Sequence, residues 1–405
     1  MNHIPLGTTS VEFEHNGRRL TADAAVKLEL SLSLKLLIEC DFSNANHAIW
    51  PGKYTSIRLV NYGKKIPVFI SRCSPEGVEF VGLEAPFRVL GNEEQLLSYI
   101  EFELLNFSNL RTKHEIQFEN WSIEITSVPQ LYDIAEKFQN SGGFAKTHSG
   151  SLCRSDGVPF SVSEAENILD SLRLQCCFAH GIYCSPILPT GYDESGKEVW
   201  KEWGSSSVDI WRWAPSWADI VPPLALSETF PNFYKTLCSS NETKSAVHVA
   251  LSWYLRSNRN NGDISGGLIL THTALERLAH HFEFRERGAA RNIRSLLKKF
   301  GIPTELPRCL ASLMELSRKY TNSRNLSLTD GPYVFSEVRN NLVHPDHTWN
   351  DLEPIAEYEA WSLGQWYIEM VILAMTGFNG QYGNRLIAGR AKYDLETVPW
   401  AKQKS

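Results

Sequence analysis

The passage Val338-Arg339-Asn340-Asn341-Leu342-Val343-His344-Pro345 sets a guanidinium and an imidazole five positions apart, with an amide beside the guanidinium. These residue types suit chemistry on a phosphodiester. A histidine whose unperturbed pKa is about 6.5 can exchange protons near neutral pH. An arginine stays charged and can grip two phosphate oxygens at once, stabilising charge as it develops. The spacing alone is uninformative, because Arg173 and His180 form a comparable pair and chance supplies about two in such a chain. Context separates them. Positions five apart on an ideal helix diverge by about 140°, but the residue before a proline is pushed out of the α conformation. Pro345 therefore predicts a helix that stops near Val343 and frees His344 to swing back toward Arg339. Asn340 would orient the phosphate or either catalytic group. Arg173 and His180 sit in an apolar run instead, with the histidine near the negative end of a helix.

Metal chemistry is the competing reading of the same residue types. Cys177, His180 and Cys184 lie close in sequence, yet they read better as buried groups at a helix end closed by Gly181. His280, His281, His344, Asp346 and His347 could serve a metal-dependent hydrolase. Adjacent histidines, however, point to different helix faces and do not ligate together easily. Neither a metal nor a cofactor is expected.

The elements that must hold the Arg339 passage follow from periodicity. From about residue 242, apolar residues recur at three and four positions, predicting helices over residues 244–259, 264–285, 289–300, 307–320, 333–343 and 354–378. Short turns between them predict an antiparallel bundle. Residues 8 to about 130 alternate with period two over 27–42, 56–73, 77–83, 99–107 and 115–128, which predicts a sandwich-like domain or curved sheet. In between, Ser161 and Glu164 form a capping-box pattern opening a helix to about His180. Trp200, Trp203, Trp211, Trp213 and Trp217 follow, suiting a small core or an interface better than a ligand pocket. The expectation is an α+β multidomain chain: residues 1–135 β-rich, 141–235 mixed α/β, 242–405 helical.

Composition narrows the partners. A net charge of −6 argues against a uniformly basic nucleic-acid binder, but residues 242–345 hold six more basic than acidic side chains. That excess fits a solvated helical surface or a phosphate-bearing partner. Eight cysteines without CxxC spacing, mostly in apolar text, read as buried thiols of a reducing compartment. No apolar run reaches about 18 residues and the start has no basic-then-apolar pattern, so a cytoplasmic chain without a membrane partner is expected.

An arginine, a polar residue, three variable residues and a histidine at a helix end inside an antiparallel bundle resemble the HEPN superfamily. The segment 271–281, THTALERLAHH, is similar to the helix that such domains place beside the motif, with Glu276 at its polar position. The ending 382–400, with Asn384-Arg385-Leu386 and Val398-Pro399-Trp400, resembles the tails of ApeA-like bacterial anti-phage HEPN proteins. So does the middle passage GGFAKTHSGSLCRSDGVPFSVSEAENIL. The resemblance is strongest from residue 242 onward and loose over the β-rich segment. It implies a homodimeric, metal-independent endoribonuclease in which the ribose 2′-hydroxyl attacks, so RNA is cut and DNA survives. Arg339 would bind phosphate, His344 would transfer protons, Asn340 would orient, and Glu276 would position Arg339. The setting implied is abortive infection, with the N-terminal segments sensing a phage-derived trigger or restraining the nuclease. The alternative is a HEPN-like protein without activity that senses a nucleotide, RNA or partner.

Overall fold

The computed structural model describes every residue except 1–2, 16, 32–33, 42–50, 75–76, 84–85, 108–112, 205–206, 220–223, 260–262, 325–329, 345–351, 392–393 and 404–405. The chain is α+β. It divides into two compact units, one of Met1–Arg173 with Cys184–Trp213, the other of Leu174–Tyr183 with Ala214–Ser405.

The first unit begins with six antiparallel strands: β1 (His3–His15), β2 (Arg18–Leu30), β3 (Leu34–Cys40), β4 (Tyr54–Leu59), β5 (Lys64–Ser74) and β6 (Gly77–Gly82). They close in the order β1-β2-β3-β6-β5-β4. Closure is made by Val11, Phe13 and Glu12 pairing with Leu59, Ile57 and Arg58. The sandwich-like expectation is thus corrected to a barrel, whose alternate residues Val11, Phe13, Val26, Ile38, Ile57, Val68 and Phe80 fill its interior. Joining the first and last strands removes both sheet edges. The expected strand over 27–42 is also broken, since its halves belong to β2 and β3, which pair with each other.

The remaining strands are β7 (Phe87–Leu90), β8 (Leu96–Leu97), β9 (Tyr99–Leu105), β10 (His114–Phe118), β11 (Trp121–Ser127), β12 (Lys146–Arg154), β13 (Phe160–Ser161), β14 (Pro186–Tyr192) and β15 (Glu198–Trp203). Seven of them form one sheet, β10-β11-β12-β9-β14-β15-β7, while β8 pairs with β13. The division expected between residues 135 and 141 falls inside this sheet, because β11 pairs with β12 along seven residues. Helix α1 (Leu131–Ser141) merely bridges those two strands. Helix α2 (Val162–His180) opens with the expected capping box: Ser161 N donates to Glu164 Oε2 at 2.8 Å, and Glu164 N donates to Ser161 Oγ at 3.3 Å. Trp200, Trp203 and Trp217 are core side chains, whereas Trp213 is exposed. Cys238 and Cys309 are exposed too, against the expectation of burial.

The second unit is helical: α3 (Leu224–Leu237), α4 (Asn241–Arg259), α5 (Ile264–His281), α6 (Ala289–Lys299), α7 (Ala311–Arg324), α8 (Gly331–Val343) and α9 (Pro354–Met375), then a short hairpin of β16 (Gln381–Tyr382) and β17 (Glu396–Thr397). Helix α9 is buried almost all round over residues 360–373, as its run WSLGQWYIEMVIL requires. Its buried Gln365 and Glu369 side chains must then find partners inside the bundle. Gln365 Nε2 donates to Thr271 Oγ1 at 2.9 Å. Glu369 accepts Arg385 Nη2 at 2.7 Å and Tyr254 OH at 2.6 Å. Arg385 lies against the Tyr254 and Trp361 rings and also donates to the Pro215 carbonyl at 2.6 Å, which pins the tail to the bundle. Among the described residues, no helix is long and apolar enough to cross a membrane.

Candidate functional site

Helices α5, α8 and α9 meet at Gly364. A β-carbon there would lie 2.4 Å from the Phe335 ring and 2.6 Å from Thr271 Cγ2, so only glycine lets them approach. This crossing brings the next residues on each helix, His272 on α5 and Ser336 on α8, within hydrogen-bond distance. His272 Nε2 and Ser336 Oγ are 3.2 Å apart, and His272 Nδ1 lies 3.2 Å from Glu276 Oε2 one turn further along α5. A carboxylate only accepts, so Nδ1 carries the proton; on a neutral ring Nε2 then accepts from the serine hydroxyl. The histidine side chain is 2% exposed and packs on Phe335, which leaves the ring no other orientation.

The buried imidazole fixes Glu276. Its carboxyl is held below the usual range, first by the His272 hydrogen bond and then by the charges of His272 and Arg339. Glu276 therefore stands as an anion within the field of the Arg339 guanidinium. Arg339 is half-buried and donates from Nη1 to Asn340 Oδ1 at 3.3 Å. Its Nε is buried and has no hydrogen-bond acceptor among the described residues. Such a donor is costly to leave unpaired, and the Nε atoms of Arg88, Arg212 and Arg294 share that state.

Helix α8 starts at Asp330, whose carboxylate accepts Tyr333 N at 3.3 Å, and it carries Pro332 in its first turn. It ends where the sequence predicts. Val343 is the last helical residue, and His344 is extended at φ −106°, ψ 121°, with its N–H on Asn340 O at 2.9 Å. The imidazole is exposed and leaves the helical lattice that would have carried it away from Arg339. Pro345, Asp346 and His347 lie outside the described residues.

The other candidates are placed elsewhere. Arg173 is engaged by Asp170 on its own helix. His280 and His281 lie at the far end of α5, where His281 Nε2 is 3.4 Å from Thr243 Oγ1, and burial and the Arg277 charge push its imidazole below the usual value. Among the described residues, no three His, Cys, Asp or Glu groups cluster as metal ligands would, Cys177, His180 and Cys184 included. Sequence reasoning missed His272 and Ser336. The signal for His272 was its position four residues before Glu276, one turn along the same helix face.

Residues 92–214 match the family model for the YopA central domain, and residues 240–395 match that for the YopA C-terminal domain. A curated relative, the SPβ prophage-derived uncharacterized protein YopA of Bacillus subtilis (strain 168), is 25% identical over 341 residues, covering 77% of this chain and 74% of the relative. No solved structure matches.

Proposed function

We propose that the helical unit is a HEPN-type, metal-independent endoribonuclease that works as a homodimer in the cytoplasm as an abortive-infection effector. The carrying observation is Arg339, half-buried and within the field of the Glu276 carboxylate, five residues ahead of a histidine that departs from its helix. The two amino groups at the outer end of the guanidinium would reach two oxygens of one phosphate. Glu276, held by His272, keeps the guanidinium facing the substrate. His344 withdraws the proton of the ribose 2′-hydroxyl or protonates the leaving 5′-oxygen, the partner subunit's copy doing the opposite task. Asn340 orients the phosphate through the same amide that meets Arg339. The N-terminal barrel and sheet would sense the phage-derived trigger or restrain the nuclease, and the prophage origin of the Bacillus relative agrees with such a setting.

Inducible expression of the wild type beside Arg339→Ala and His344→Ala, with growth and RNA integrity read with and without phage, tests the proposal. Each variant should lower cleavage by at least about 100-fold. Purified protein should leave 2′,3′-cyclic phosphate ends in the presence of chelator and spare DNA of the same sequence. Undiminished RNA loss in both variants, or activity abolished by chelator, refutes the mechanism. Absence of RNA loss in the wild type, triggered or not, favours the inactive sensor.

A further inference from the structure

One turn beyond Glu276 the character of α5 changes. Residues 277–299 hold seven arginines and lysines against Glu283 and Glu286. Arg294 of this segment, like Arg385 and Arg390 elsewhere in the unit, grips a carboxylate, on Asp330, Glu369 and Asp219 respectively. Arg277, Arg285, Arg287 and Arg291 have no ion-pair partner among the described residues, and all but Arg277 are exposed. Four guanidinium groups left together repel one another, a cost that a polyanion would reverse.

Geometry gives the cluster a shape. Arg277, His280, His281 and Arg285 line an open hollow of about 460 Å³ with Asn241, Ser245 and the carboxylates Glu242 and Glu283. Arg285 is anchored by Nη1 on the His280 carbonyl at 2.9 Å, which steadies its guanidinium. Of the neighbouring carboxylates, Glu242 and Glu286 are engaged, while Glu283 stays at the rim of the hollow. Glu242 is held below its usual range by its own backbone amide and the Ser240 hydroxyl, then by the charge of His281, and Glu286 accepts from Ser295 Oγ. Along the sequence the arginines continue to Arg287 and to Arg291 in the first turn of α6. A run of this length is a track for successive phosphates rather than a seat for one small anion.

We infer that this surface binds the backbone of a single RNA strand and feeds it to Arg339, its neighbour through Glu276. The identity of the polyanion rests on the ribonuclease reading above; the binding surface itself does not. Contacts would be to phosphates, so the track carries no sequence preference.

The test uses the full chain and anisotropy of a short fluorescein-labelled 2′-O-methyl oligoribonucleotide, which binds but offers no 2′-hydroxyl for attack. Arg277→Ser with Arg285→Ser and Arg287→Ser should weaken binding by about tenfold or more. It should also flatten the slope of log Kd against log salt by about 2, the share of three phosphate contacts on a single strand. The same three positions changed to lysine should bind within about threefold of the wild type, which separates charge from folding. Unchanged affinity and slope in the serine variant overturn the inference, as does protein that binds anionic vesicles through these arginines but not the oligonucleotide. Wild type that binds through the arginines yet cuts no RNA leaves the surface standing and removes the ribonuclease reading. Cutting with arginine-independent binding does the reverse.

Discussion

Replacing Arg385 by methionine should destabilise the helical unit far more than its single position suggests. Its Nε and Nη2 donate to Glu369 Oε1 at 3.1 and 2.7 Å, with side chains 1% and 0% exposed. Methionine keeps most of the stem's packing, so the loss is electrostatic. Removing one partner of a buried pair costs about 3–5 kcal/mol, because the other charge stays buried without compensation. The Pro215 carbonyl also loses the nearer of its two donors but keeps Asn258 Nδ2 at 3.3 Å, so this adds at most about 1 kcal/mol. Tyr254 keeps its own hydrogen bond to Glu369 and softens the loss, which puts the expected cost near 4 kcal/mol. In a unit of this size each kcal/mol moves the midpoint by about 2–4 °C, so calorimetry should show a drop of roughly 10 °C. Adding Glu369→Leu to the same chain removes the stranded carboxylate and should restore at least about 2 kcal/mol. A single variant that loses less than about 1 kcal/mol, or a double variant less stable than the single, would refute the claim that the ion pair holds the tail.

Two further outcomes follow from groups already described. Burial raises the Asp219 carboxyl to about 6 despite the Arg390 ion pair. A carboxyl raised in the folded state lends stability that is complete below its unfolded pKa and is lost as pH rises through about 6, so the wild type should lose about 2–3 kcal/mol between pH 4 and 7 that Asp219→Asn does not. Urea midpoints across that range check it, and parallel profiles would refute it. Gly364→Ala should cost about 1–3 kcal/mol by pushing on Phe335 and Thr271. Because Phe335 carries the His272 ring, RNA cleavage should fall as well; a variant with native stability and activity would show that the crossing tolerates a methyl group.

The helices from α4 onward were legible because apolar residues recur every three or four positions, whereas α1 and α3 were not read as helices. The end of α8 was legible because proline acts on the residue before it, a purely local effect. What escaped the sequence is non-local. The run KLELSLSLKLLIECDF alternates straight through the point where β2 gives way to β3, with neither glycine nor proline to mark the reversal. Barrel closure depends on residues 11–13 meeting 57–59, which alternation within either strand cannot announce. His272 looked like one polar letter in an apolar helix, and its second partner, Ser336, is 64 residues away. Glu276 was readable by position, whereas the imidazole that fixes it was not.

The chain passes between its two units three times, after Arg173, Tyr183 and Trp213. Residues 174–183 therefore belong to the helical unit although they precede a strand of the other. Within that unit, Phe178 packs on Trp217, Phe233 and Tyr254, and Asn258 donates to the Gly181 carbonyl at 3.0 Å. A fragment starting after residue 235 would forfeit Phe178, Trp217 and Phe233 together and bare the Tyr254 ring they pack on. A single breakpoint in the chain therefore releases neither unit whole, so the two are inherited as one woven piece.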